Sequence, residues 1–119
     1  MKVLIVEDEP AISMLIEDMI LDLGHAVTGC AANCAQARRS MTSDTDIVLL
    51  DVNLSGEESY PFAEELEKQN VPFVFLTGYG AAGLTPRWVA KPVIQKPFTV
   101  EQLRSVLESL IPTSCSAKA

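Results

Sequence analysis

The chain has 119 residues, 48% of them hydrophobic, and a formal net charge of −7. That is the length of one domain with enough apolar residues for a core, and the acidic balance argues against direct nucleic-acid binding, which needs a basic face for the phosphates. A single histidine, His25, and three cysteines, Cys30, Cys34 and Cys115, offer no zinc spacing and little room for a Ser-His or Cys-His nucleophile pair.

The opening "MKVLIVEDEP" has one lysine and a short apolar segment, too little for a signal peptide. No apolar run approaches the length that crosses a bilayer, so a cytoplasmic protein without membrane contact is expected. "KVLIV" reads as a first strand. Residues 10–23 place Ile12, Leu15, Ile16, Met19, Ile20 and Leu23 at helical spacing, with Pro10 suited to the first turn and Gly24 to the stop. "AVTGCAA" is a second strand, and Asn33 then caps a helix running to about residue 41. Cys30 and Cys34 read as small, buried or half-buried thiols of a reduced protein.

The third strand is the run Ile47, Val48, Leu49, Leu50, which passes directly into Asp51 within "DIVLLDVNLSG". An uninterrupted apolar run of this kind suits a strand buried on both faces of a parallel sheet. A helix over about residues 60–69 follows, with Phe62, Ala63 and Leu66 on one face. "PFVFL" is the fourth strand and "PVIQ" the fifth. The last helix, residues 100–111, opens on a capping box of Thr99 and Gln102 and ends at Pro112. Between the fourth and fifth strands, Gly78, Gly80, Gly83 and Pro86 predict a short or mobile helix. Residues 1–112 form one βα-repeating domain, and residues 113–119 a flexible tail.

In an open parallel sheet, ligands bind beyond the carboxyl ends of the strands. Glu7, Asp8 and Glu9 follow the first strand here, Asp51 the third, Thr77 the fourth and Lys96 the fifth. A first strand beside the third, roughly 5 Å away, brings the acidic pair to Asp51. Clustered carboxylates repel unless a cation sits among them, and oxygen ligands suit magnesium, or manganese, better than zinc. Lys96 supplies a positive charge and Thr77 a hydroxyl, a set that fits a phosphoryl group on Asp51. A dinucleotide fingerprint is absent, because "EDEP" puts three negative charges where a pyrophosphate would sit. Of the two Lys-Pro pairs, Lys96-Pro97 holds the strand end and is a candidate cis peptide. Lys91 reads as a solvated charge.

"VLIVEDEP", "DIVLLDVNL", "FLTG" and "QKPF" together resemble the receiver domain of bacterial two-component response regulators, across almost the whole chain. The resemblance implies a doubly wound α/β fold: a five-stranded parallel sheet in the flavodoxin-like order 2-1-3-4-5, with about five helices. It implies that Asp51 accepts phosphate from a histidine kinase or histidine phosphotransfer protein. Glu7 and Asp8 would arrange Mg2+ with Asp51, Asn53 would add its backbone carbonyl, and Thr77 and Lys96 would engage the phosphoryl group. The usual aromatic three residues before the lysine is replaced by Val93, and the usual proline four residues after the acceptor by Ser55. "PFVFLTGY" resembles the Pro-Phe-x-Phe-Ala-Thr-Gly-Gly/Tyr receivers of alphaproteobacterial stress signalling, with Leu76 in the alanine position. In that reading Tyr79 takes over part of the missing aromatic role. Trp88, Val93 and Pro97 belong to the signalling face, with core packing as the other role open to Trp88.

Since no DNA-binding or enzymatic segment follows, output is expected through protein contacts or as a phosphate sink, from a monomer or weak homodimer. Two other functions fit parts of the pattern. One is a phosphohydrolase of the haloacid dehalogenase type, although its nucleophile follows the first strand. The other is an interaction module that has the fold without phosphorylation.

Overall fold

The computed structural model describes residues 1–78, 84–88 and 91–110. Its elements in chain order are β1 (Lys2–Val6), α1 (Pro10–Asp22), β2 (Ala26–Ala31), α2 (Cys34–Ser40), β3 (Ile47–Asp51), a two-residue pair β4 (Asn53–Leu54) and β5 (Glu57–Glu58), α3 (Tyr60–Lys68), β6 (Phe73–Thr77), a 3-10 turn (Pro86–Trp88), β7 (Val93–Gln95) and α4 (Val100–Leu110). The five long strands form one parallel sheet in the order β2-β1-β3-β6-β7. With the small β4–β5 hairpin set aside, this is the expected 2-1-3-4-5 order.

Alternation along the strands explains why their sequences are continuously apolar. Val3, Ile5, Ile47, Leu49, Val74 and Leu76 meet Ile16 and Ile20 of α1 and Leu103 and Leu107 of α4 on one face. Leu4, Val6, Val48, Leu50, Phe73 and Phe75 meet α2 and α3 on the other, through Ala37, Phe62, Ala63 and Leu66. Helices on both faces leave the carboxyl ends of β1, β3, β6 and β7 as a shared edge.

The helix ends follow local chemistry. The Asn33 side chain accepts the Gln36 N–H at 2.9 Å. Thr99 and Gln102 form the reciprocal box, with Gln102 N–H donating to Thr99 Oγ1 at 3.1 Å and Thr99 N–H to Gln102 Oε1 at 2.8 Å. Gly24, with φ +86°, adopts the left-handed backbone that ends α1.

Several expectations need correction. Leu15 is 52% exposed, because the buried face of α1 centres on Ser13, Ile16 and Ile20 and Leu15 lies about 100° around the helix from Ile16. Of the two cysteines among the described residues, Cys34 is buried and Cys30 is exposed. Its strand, β2, is the sheet edge and carries a register shift opposite Val3 and Leu4. Lys91 is not a lone solvated charge: its Nζ lies 2.8 Å from Glu67, which also holds Arg87 at 3.1 Å. The expected fourth helix is represented, among the described residues, by the 3-10 turn alone. Tyr79, Pro112 and the tail expected over residues 113–119 lie outside the described residues.

Candidate functional site

Four strand ends build the site. Glu7 directly follows β1 and is 3% exposed; Asp51 ends β3 at 7% and Thr77 ends β6 at 5%. Lys96 follows β7 and reaches across β6. Its Nζ donates to Glu7 Oε2 at 2.6 Å and to Asp51 Oδ2 at 3.0 Å. The Lys96-Pro97 peptide that carries it is cis. Asp8, half-buried in the turn after β1, completes a group of three carboxylates with Glu7 and Asp51. Their ligand oxygens lie within 4.8 Å of one another. Glu9 is exposed at the N-cap of α1 and takes no part in this group.

Charge here is unevenly held. Burial pushes the Glu7 carboxyl up to about 7, even though the hydrogen bond from Lys96 pulls it down. At Lys96 burial opposes the charge, but the bonds to Glu7 and Asp51 together outweigh it and hold the ammonium above its ordinary value. The pair is ion-paired by geometry, and desolvation decides the sign at Glu7. Asp8 is held below the ordinary carboxylate value, chiefly by a hydrogen bond from Ser55 Oγ to Asp8 Oδ2 at 2.6 Å.

Beside the acceptor lies a cavity of about 280 Å³, lined by Asp51, Asn53, Glu58, Tyr60, Thr77 and Thr85 among others. Asn53 borders it from β4, while its Oδ1 accepts the Gly56 N–H at 2.8 Å. Tyr60 crosses from this cavity into the core. Its ring stacks on Trp88 (centroids 5.7 Å, 5° between planes), and its hydroxyl accepts the Thr85 N–H at 3.2 Å.

The sequence-derived set is thus divided. Glu7, Asp8, Asp51, Thr77 and Lys96 converge, with Asn53 adjacent. Trp88 does not lie on a contact surface: it is 2% exposed, boxed by Tyr60, Phe73 and Phe75, with the Arg87 guanidinium 4.0 Å over its ring. Core packing is its role. Val93 is half-buried against the same cluster, and Pro97 is exposed. Ser55 and Tyr60 were not among the expected site residues. The only signals for them were an unusual residue in the turn after the acceptor and a tyrosine at the start of a helix.

The donor set fits a hard divalent cation, since all three groups offer carboxylate oxygen and none offers sulfur or imidazole nitrogen. A buried carboxylate flanked by an ammonium, a hydroxyl and such a cation can attack phosphorus and have the incoming oxygens neutralised.

Comparison with known proteins agrees. Residues 3–108 match the family described as the response regulator receiver domain. The fold is similar to the solution structure of SdrG from Sphingomonas melonis Fr1, at 40% identity and a TM-score of 0.81, covering 92% of this chain and 94% of SdrG. It is similar to the PhyR receiver domain of Erythrobacter litoralis, at 34% identity and a TM-score of 0.79, covering 91% and 87%. The transcriptional regulatory protein TcrA of Mycobacterium tuberculosis is 32% identical over 116 residues, which is 92% of this chain but 45% of TcrA. The chain therefore spans less than half the length of that curated relative. No helix among the described residues is long and apolar enough to cross a membrane.

Proposed function

The chain belongs to the response regulator receiver domain family, and on that premise we propose that Asp51 is its phosphoacceptor, served by a histidine kinase or histidine phosphotransfer protein. The observation that carries this reading is the bridging of Glu7 and Asp51 by Lys96 at 2.6 and 3.0 Å. An Asp51 carboxylate oxygen bonds to phosphorus while the phosphorus–nitrogen bond of the donor phosphohistidine breaks. The imidazole leaves with the electron pair, and an acyl phosphate remains on Asp51. Lys96 Nζ, already within hydrogen-bond reach of the acceptor, pairs with the new phosphoryl oxygens, and the Thr77 hydroxyl donates to another. Glu7, Asp8, Asp51 and the Asn53 backbone carbonyl would hold Mg2+, or Mn2+, which when bound neutralises negative charge on the transferring group. Burial of Glu7 and Asp51 excludes water and strengthens each of these contacts.

Tyr60, together with the glycine-flanked Tyr79, takes over the relay that an aromatic at position 93 would provide. Val93 has no ring, whereas Tyr60 touches both the cavity beside Asp51 and the backbone of Thr85. The protein acts through contacts with partner proteins or as a phosphate sink, as a cytoplasmic monomer or weak homodimer. A phosphohydrolase is disfavoured, because the acidic pair follows β1 and the acceptor ends β3.

The deciding experiment is intact mass after incubation with acetyl phosphate and Mg2+, with Asp51→Ala alongside. One phosphoryl adduct on the unaltered protein alone is expected. An adduct that survives in Asp51→Ala overturns the assignment, and sustained hydrolysis of small phosphate esters restores the phosphohydrolase.

A further inference from the structure

We propose that Ser55 is a positioning residue for the cation site: its hydroxyl fixes the Asp8 carboxylate in the orientation that completes the oxygen set with Glu7 and Asp51. The inference rests on the phosphoacceptor reading only for the purpose the cation serves. Its test reads cation binding directly.

Asp8 is the member of the set that burial does not hold. Glu7 and Asp51 are 3% and 7% exposed and both bonded to Lys96, whereas Asp8 sits half-buried in the turn after β1. A side chain in such a place samples several rotamers unless something binds it. The Ser55 hydroxyl does so from a loop 47 residues away, at 2.6 Å. That is the length of a strong, charge-assisted O–H···O− bond. A carboxylate has about four lone-pair sites, so this bond leaves room for the cation.

The backbone at Ser55 argues that the side chain matters. Ser55 and Gly56 are the two turn residues of the β4–β5 hairpin, with φ of +55° and +92°. Two positive φ values in a two-residue hairpin call for a type I′ turn, which favours Asn or Gly at its first position. Serine is a costlier choice there, since its Cβ meets the strain that glycine escapes. Its hydroxyl also reaches the Asp8 carboxylate. The hairpin is itself anchored: Leu54 is 2% exposed in the core, and Glu57 Oε1 accepts the Cys34 N–H at 3.2 Å. Ser55 is therefore a strut from a tethered loop to an otherwise loosely held ligand.

Ser55→Gly separates the two roles, because it relieves the backbone and removes the hydroxyl. Mg2+ titrated into the unphosphorylated protein by calorimetry, with urea midpoints measured in parallel and Asp8→Asn as the null-binding control, reads both. Removing a partner that orients a metal ligand weakens affinity about ten-fold at the low end of the usual range, and that loss is expected in Ser55→Gly together with an equal or higher urea midpoint. Ser55→Ala should show the same loss of affinity with a lower midpoint than Ser55→Gly. Mg2+ affinity unchanged in Ser55→Gly overturns the proposal while leaving the phosphoacceptor reading intact. Absence of both Mg2+ and Mn2+ binding by the unaltered protein overturns both.

Discussion

Lys96→Met, studied in the presence of a chelator, tests how the buried charges are balanced. The substitution keeps an apolar stem and removes the ammonium that touches Glu7 and Asp51. Breaking a buried pair from one side costs about 3–5 kcal/mol if the surviving charge cannot adapt. Glu7 can adapt by taking a proton. Burial already holds its carboxyl at about 7, and Lys96 is what pulls it down, so without Lys96 it rises further. A carboxyl raised in the folded state lends stability at low pH that fades as pH climbs from its ordinary value to its folded one, at about 1.4 kcal/mol per pH unit. The unaltered protein completes that loss near pH 7, whereas the variant goes on losing stability above it. The difference between them is therefore steady from pH 5.5 to 6.5 and widens above pH 7, by at most about 1.4 kcal/mol per pH unit, until the variant's own Glu7 carboxyl has ionised. Glu7 is 3% exposed, so solvent screening takes little from this figure. Urea unfolding followed by the emission of Trp88, the single tryptophan, measures it at pH 6 and 8.5. A Lys96→Met penalty equal at the two pH values would refute the reasoning that desolvation governs Glu7.

Tyr60→Phe keeps the stack on Trp88 and removes the acceptor of the Thr85 N–H. The contact is exposed, so the loss of stability should stay at or below about 1 kcal/mol. The change in Trp88 emission on adding beryllofluoride and Mg2+ should be largely abolished; a full-sized change would sink the Tyr60 relay. His25 is half-buried with Nδ1 2.9 Å from the Met1 amino nitrogen, and burial, aided by that amino charge, pushes its imidazole below the ordinary 6.5. A depressed folded value means the stability it lends is present above pH 6.5 and is lost as pH falls through the folded value. Proton NMR of this one histidine should give a midpoint below 6.5 in the folded protein and near 6.5 in urea. A folded midpoint at or above 6.5 contradicts the burial argument.

What could be read from the sequence was whatever a local pattern determines. The runs that became β3 and β6 are apolar at every position because both faces are covered, and each ends on a polar group that the parallel order carries to one edge. Asp51, Thr77 and Lys96 were legible for that reason. The β4–β5 hairpin was not, since two-residue strands show no periodicity and only the Ser-Gly dipeptide hints at the turn. Tyr60 depends on a partner 25 residues away, which no spacing encodes. Trp88 could not be placed by residue type, because a tryptophan suits both an interface and a core; the three neighbouring rings decided it. Leu15 fell within a helical stripe drawn wider than the face that the sheet accepts, and Cys30 is exposed because its edge strand is covered less completely than the central strands.

Four groups of the site arrive from four strand ends spread between residues 7 and 96. No fragment shorter than nearly the whole domain can assemble them, so the ability to take a phosphoryl group appears only with completion of the fold. On the proposed phosphoacceptor reading, a chain that lacks the segment from β3 to β7 holds no complete site for a phosphodonor. On that reading, phosphate incorporated per mole of protein cannot exceed the fraction of molecules that are intact and folded.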